Sequence, residues 1–94
     1  MLTTRWPDDF DDHAWEIEAK GWFEGVMVEW NGRHIRPVFY DPVRLGQEIA
    51  DTFARGEAYF REPNLIVVQA TTRDHMQTAV EGLSDEDLEQ LVAE

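Results

Sequence analysis

The dipeptide Asn31-Gly32 is the feature that most restricts how this chain can fold. Asparagine and glycine adopt positive φ more readily than other residues, so the pair favours a two-residue type I′ turn between antiparallel strands. The flanking segments 22–30 and 33–40 are rich in β-branched and aromatic residues, as strands are. The sequence therefore predicts a β-hairpin over residues 22–40.

The turn also fixes which residues face each other across the hairpin. The predicted partners are Trp30 with Arg33, Glu29 with His34, Val28 with Ile35, Met27 with Arg36, and Phe23 with Tyr40. These pairs include a candidate cation–π pair, a candidate ion pair and an aromatic pair. The same register places Pro37 where a strand residue would donate a hydrogen bond, which proline cannot do. We expect either a bulge near Gly25 or pairing that ends before Pro37.

Residues before and after this hairpin show other periodic patterns. Residues 14–20 alternate, with Trp15, Ile17 and Ala19 on one side, which predicts a strand. Asp41-Pro42 predicts the start of a helix over 42–55 that Gly56 ends. A short strand is expected around residues 58–60.

The last third of the chain predicts one strand and two helices. The run LIVVQA at 65–70 is apolar on both faces and predicts a central strand. Thr71 with Asp74, and Ser84 with Asp87, have the spacing of capping boxes that open two helices. The order is βββαβ(β)αα. We therefore predict an α+β fold in which a small single-layer, mostly antiparallel sheet packs against two or three helices.

The chain has 94 residues, which is enough for one domain with a modest core. Pro7 and the aspartates at 8, 9, 11 and 12 supply little to bury, so residues 1–13 are predicted to form an acidic N-terminal arm. Residues 14–94 are predicted to form a single α+β domain.

Negative charge is concentrated at both ends of the chain. The formal net charge is −12, divided as −6 over residues 1–30, zero over 31–62 and −6 over 63–94. Such a field repels nucleic acid and anionic membrane surfaces, both of which bind clustered Lys and Arg. It favours a basic protein partner, although excess acid also serves solubility alone.

The chain has no cysteine, which excludes disulfides, thiol catalysis and cysteine-bound metals. Its longest strongly apolar run is four residues, far below the ~20 of a membrane span, and no signal peptide is recognisable. We expect a cytoplasmic protein. An open sheet would also leave an edge on which a homodimer could form.

Catalysis and metal binding have little support in the sequence. None of the three histidines, His13, His34 and His75, is spaced to share a helix face with another, and no catalytic or phosphate-binding motif is present. The aspartates at 8, 9, 11 and 12 lack the frame of a calcium loop. We predict neither an enzyme nor a metal or cofactor site. A small hydrolase would need two histidines to converge in one pocket.

Four tryptophans in so small a chain need an explanation. Alternation assigns Trp15 to the core, with Trp22 and Trp30 in the core or half-buried. Trp6 lies outside any periodic element, directly before the aspartates. It either folds back as a lid on the sheet or stays exposed as an anchor for a partner, since tryptophan is enriched at binding hot spots.

The composition favours a small binding module that captures and inhibits a basic protein, as inhibitors, immunity proteins and antitoxins do when carboxylates imitate phosphates. The alternative is an accessory or structural subunit held by apolar contacts, in which acidity serves only solubility. The predicted partner-binding residues are Trp6, Asp8, Asp9, Asp11, Asp12, Glu16 and Glu18.

Overall fold

A computed structural model describes all 94 residues and has an α+β fold. The predicted class is confirmed, but the strands form two three-stranded sheets where a single sheet was predicted, and there are four helices. In chain order the elements are β1 (Leu2–Arg5), α1 (Phe10–Lys20), β2 (Trp22–Phe23), β3 (Met27–Trp30), β4 (Arg33–Ile35), β5 (Val38–Tyr40), α2 (Pro42–Ala54), β6 (Leu65–Val67), α3 (Arg73–Glu81) and α4 (Asp85–Gln90).

The predicted hairpin turn is confirmed. Asn31 and Gly32 have φ values of 49° and 76°, as a type I′ turn requires. The first three predicted pairs also occur: Trp30 with Arg33, Glu29 with His34, and Val28 with Ile35. The charged side chains of these pairs bind elsewhere: Glu29 pairs with Arg5 at 3.0 Å, and Arg33 donates to backbone carbonyl oxygens at the end of α4.

Beyond Val28 the predicted register is wrong by one residue. Phe23 faces Phe39, and Trp22 takes the place opposite Tyr40. The strand before the turn therefore holds one extra residue between Phe23 and Val28, where the expected bulge near Gly25 lies. A Cβ at Gly25 would lie 2.5 Å from the Phe23 ring, so glycine is needed for this close approach. The interruption divides the strands into two sheets, β1-β3-β4 and β2-β5-β6.

Residues 14–20 are helical, so the strand predicted there is wrong. The alternation covers only seven residues, whereas Phe10, Ala14 and Ile17 form a helical stripe that begins upstream and packs on the core. Ala, Glu and Lys, which fill most of this segment, also favour helices over strands. Gly21 ends α1 with φ of 69°.

The N-terminal residues are part of the domain and do not form a separate arm. Leu2–Arg5 pair with β3 in antiparallel register, from Leu2 with Trp30 to Arg5 with Met27. The aspartates at 11 and 12 lie in the first turn of α1, where the helix dipole stabilises negative charge. The composition of residues 1–13 suggested little to bury, but Phe10 is buried in the core.

Residues 38–67 form a parallel β5–α2–β6 unit. Asp41 caps α2 by accepting a hydrogen bond from the Arg44 backbone N–H at 2.7 Å, as predicted. The segment 65–70 was predicted as a central strand, but β6 spans only Leu65–Val67 and lies at the edge beside β5. No strand forms at 58–60.

The two C-terminal helices begin close to the predicted positions. The capping box of Ser84 and Asp87 is confirmed. The cap of α3 lies one residue later than predicted, at Thr72, because the Thr71 hydroxyl instead donates to the Ile17 carbonyl at 2.8 Å. None of the four helices is long and apolar enough to cross a membrane.

The core lies between the sheets and the helices α1, α3 and α4. Its buried members come from every part of the chain: Phe10, Val26, Val28, Trp30, Ile35, Phe39, Val68, Met76, Val80 and Leu88.

Two side chains from the sheet region hold the C-terminal segment in place. Arg33 donates to the carbonyl oxygens of Leu88 at 3.2 Å and Leu91 at 2.6 Å, at the helix end that favours a cation. Asn64 donates to the Val92 carbonyl at 2.9 Å and accepts from its N–H at 2.7 Å. The segment after α4 is therefore anchored by hydrogen bonds more than by apolar burial.

We predict that Arg33→Ala lowers the free energy of unfolding by about 2 kcal/mol, because charge-assisted hydrogen bonds of a half-buried arginine are lost. The matched control is Arg36→Ala, which breaks a more exposed ion pair with Glu94 at 2.8 Å and should cost less than about 1 kcal/mol. Urea denaturation of both variants measures the difference. Equal losses would show that Arg33 is no anchor.

Candidate functional site

Helix α1 presents a tryptophan to solvent among carboxylates. Trp15 is 72% exposed, so the prediction that it lies in the core is wrong. Residues three or four positions apart are neighbours on a helix surface, which places Asp11, Asp12 and Glu18 within one turn of Trp15. We call Asp11, Asp12, Trp15, Glu18 and Ala19 the α1 outer face.

This exposure follows from the helix period. Phe10, Ala14 and Ile17 point to the core, and residues at 11, 15 and 18 then fall outside the buried stripe. A strand would have put Trp15 and Ile17 on one face, which is why alternation misplaced Trp15. The helical stripe that starts at Phe10 is the sequence signal that could have found it.

Trp6 is packed, so of its two predicted placements the lid is the one observed. Its indole N–H donates to the Gln77 side chain at 3.0 Å. Its ring lies 4.9 Å from that of Phe10 and 6.5 Å from that of Phe23, and the Arg73 guanidinium lies 5.1 Å from its centre. Trp6 is therefore not part of the α1 outer face.

The other predicted binding residues surround the start of α1. Asp8 and Asp9 are exposed and precede the helix. Glu16 is turned toward His13, with 3.7 Å between its carboxylate and the imidazole, and Asp9 lies 3.5 Å from the same ring. The structure thus groups three of the predicted carboxylates (Asp11, Asp12 and Glu18) around Trp15, with Asp8 and Asp9 at the helix start and Glu16 on its flank.

Few cations neutralise this region. Residues 8–20 hold six carboxylates and one lysine, a net charge of −5 with histidine neutral. The only arginine within ion-pair distance of the α1 outer face is Arg73, 3.6 Å from the Asp11 carboxylate. The side chain of Asp11 nevertheless remains 83% exposed. The carboxylates of Asp12 and Glu18 have no ion-pair partner in the chain.

The three histidines lie in different parts of the fold. His13 lies on α1, His34 on β4 and His75 on α3, and each lines a different surface depression. The convergence that a histidine-based hydrolase would need is therefore not present. No three His, Asp or Glu side chains converge in a geometry that could hold a metal ion.

No protein-family model matches this chain, and neither a curated protein nor a solved structure is significantly similar to it. The chemistry of the α1 outer face is therefore the basis for a functional proposal.

We predict opposite consequences for the two tryptophans. Trp6→Ala should lower the free energy of unfolding by about 2–3 kcal/mol, because it removes aromatic packing and a part-buried hydrogen bond. Trp15→Ala should change it by less than about 0.5 kcal/mol, because an exposed position has little packing to lose. Chemical denaturation of both variants tests this. A large loss on Trp15→Ala would mean that α1 is packed differently.

Proposed function

We propose that the protein is an acidic binding module that captures and inhibits a basic protein, with Trp15 as the apolar anchor. The observation that carries this proposal is an exposed tryptophan with Asp11, Asp12 and Glu18 within one helical turn. Binding hot spots combine a large aromatic anchor with a surrounding rim, and tryptophan is among the residues most enriched there. The carboxylates would supply charge complementarity and speed encounter.

Rigidity of the support favours the same function. Trp15 stands on a helix whose opposite face is fixed in the core by Phe10, so its backbone needs no ordering on binding. An anchor that is already positioned loses less entropy when a partner docks. The adjacent carboxylates of Asp12 and Glu18 pair with no cation of the chain, so they are free to reach lysine and arginine side chains around the anchor.

A basic enzyme that acts on nucleic acid is the kind of partner that this surface fits best. Its active site presents clustered cations that normally meet phosphates, and closely spaced carboxylates can replace them. Capture would then be inhibitory, because the module and the substrate would compete for the same cations.

A second candidate is an accessory subunit held by apolar contacts. It is favoured by exposed apolar side chains at and after α2: Val43, Phe53, Tyr59 and Val67. In that case binding would depend little on salt, since apolar contacts are not screened by ions.

The test captures partners from the host lysate with the tagged protein and two charge variants. Asp11→Asn/Asp12→Asn/Glu18→Gln removes three charges around Trp15. The matched control, Asp85→Asn/Glu86→Gln/Glu89→Gln, also removes two carboxylates from the first turn of a helix, α4, and one further along. We expect a stoichiometric basic protein that is released by high salt, retained by the control and lost by the first variant.

Trp15→Ala should also reduce capture, by tenfold or more in affinity if it is a hot spot of about 2 kcal/mol. A partner that remains bound at high salt to both charge variants would contradict the proposal and support the accessory subunit. Equal losses in both charge variants would mean that total charge, and not the α1 outer face, sets the affinity.

A further inference from the structure

A cavity of about 550 Å³ lies beside β5, between α2 and the chain that leads back to β6. Small-ligand sites usually occupy about 300–1,000 Å³. Its lining includes Tyr40 from the end of β5, Glu48 from α2, and Tyr59 and Glu62 from the returning segment. Every residue that lines the cavity belongs to one βαβ unit, and none belongs to the α1 outer face.

Tyr40 supplies an unused hydrogen-bonding group. Its side chain is nearly covered, with 5% of the residue exposed, and its hydroxyl has no hydrogen-bond partner in the chain. Every side-chain oxygen and nitrogen that is fully shielded from solvent has a partner. The Tyr40 hydroxyl must therefore open into the cavity that its ring lines.

Negative charge surrounds that hydroxyl. Burial raises the pKa of Tyr40, and the carboxylates of Glu62 and Glu48 raise it further; Arg44 lowers it, and Glu24 adds the smallest increase. The charged side chains that line the cavity sum to a net charge of −1: Glu48, Glu57, Glu62, Arg55 and Arg61. Arg44, which is not part of the lining, is already bound to Glu48 at 2.9 Å.

Among the carboxylates that line the cavity, Glu62 is the one without a cation. It is half-buried, and no arginine or lysine lies within ion-pair distance of it. Burial raises its pKa, and the charges of Glu24 and Glu48 add to the effect. The other cations of the cavity lining do not pair with Glu62, because Arg55 is bound to Glu57 at 2.8 Å and the Arg61 guanidinium lies beyond ion-pair distance of it.

We infer that this cavity binds a primary ammonium group, with Glu62 as its counter-ion and the Tyr40 hydroxyl as a hydrogen-bond acceptor. An ammonium group offers three donors and one positive charge, which matches the unpartnered carboxylate and phenol. The ring of Tyr59, 69% exposed at the cavity wall, adds an aromatic face that attracts cations. The ammonium could belong to a small amine or to a lysine side chain.

The test titrates the isolated protein with n-butylammonium chloride and follows the backbone amide resonances by NMR. We expect saturable shifts in residues 40–62. Tetramethylammonium chloride has the same charge but no N–H donor, and sodium chloride controls for ionic strength. Equal shifts with all three salts would overturn the proposal.

Variants assign the roles of the two groups. Glu62→Gln should weaken butylammonium binding by about tenfold or more, and Tyr40→Phe by about threefold to tenfold, as expected for a charged and a neutral acceptor. The control is Asp51→Asn, which removes an exposed carboxylate of α2 that does not line the cavity and pairs with no cation. Unchanged affinity in Glu62→Gln would also overturn the proposal.

A blocked lysine, acetylated at its α-nitrogen and amidated at its carboxyl group, distinguishes the two sources of the ammonium. Tighter binding than butylammonium would assign the cavity to a lysine of a protein, and weaker binding would assign it to a free amine. None of these titrations needs the protein partner, so their outcome is separable from that of the proposed function.

Stability provides an independent readout. A carboxyl whose pKa is raised by folding stabilises the native state below its unfolded pKa, and this contribution is lost as pH rises through the folded pKa. Glu62→Gln, in the free protein, should therefore raise the urea midpoint at pH 7 and have no such effect below about pH 4.5. Butylammonium should lower the pKa of Glu62. If Glu62→Gln instead lowers the urea midpoint at pH 7, the view of Glu62 as an unpaired, desolvated carboxylate is contradicted.

Discussion

The aromatic contacts among Trp6, Phe10 and Phe23 determine how the acidic half of the molecule is displayed. The rings of Phe10 and Phe23 lie 5.3 Å apart in an edge-to-face arrangement, and Trp6 covers both. Because Phe10 is held in this cluster, the orientation of α1 about its own axis is fixed. In that orientation Trp15 faces solvent. The surface proposed to bind a partner is thus a direct consequence of packing on the other side of the same helix.

Helix dipoles explain some of the negative charge but not all of it. Asp11 and Asp12 begin α1, and Asp85 and Glu86 begin α4, where carboxylates stabilise the free N–H groups of the first turn. Glu18 lies in the last turn of α1, where the dipole disfavours a carboxylate. Its charge contributes nothing evident to folding, so its position beside Trp15 favours a role in binding.

Local chemistry allowed much of the fold to be predicted. The Asn31-Gly32 turn and the caps at Asp41 and Ser84 depend on a few adjacent residues, and these are where the expected and observed structures agree. The conflict between Pro37 and a continuous hairpin also predicted where pairing would break. The division into two sheets could not be predicted, because it depends on strands from distant parts of the chain. β1 pairs with β3, and β6 pairs with β5.

The binding surface was predicted in composition but not in detail. Trp6 was expected either to pack as a lid or to stay exposed among carboxylates, and the sequence could not decide between the two because Phe10, Phe23 and Gln77 come together only in the folded chain. The cavity at Tyr40 gave no sequence signal, since Tyr40, Glu48 and Glu62 are separated in the chain and share no periodic pattern. Charge count alone cannot show which carboxylate lacks a cation.

The most direct test of the central claim observes the four indole N–H resonances of the protein while the captured basic partner is added. Each tryptophan gives its own signal in one NMR spectrum. The account predicts that the Trp15 indole shifts or broadens on saturation, while the Trp6 indole, bound to Gln77, is unaffected. A partner that saturates the protein without changing the Trp15 signal would contradict it.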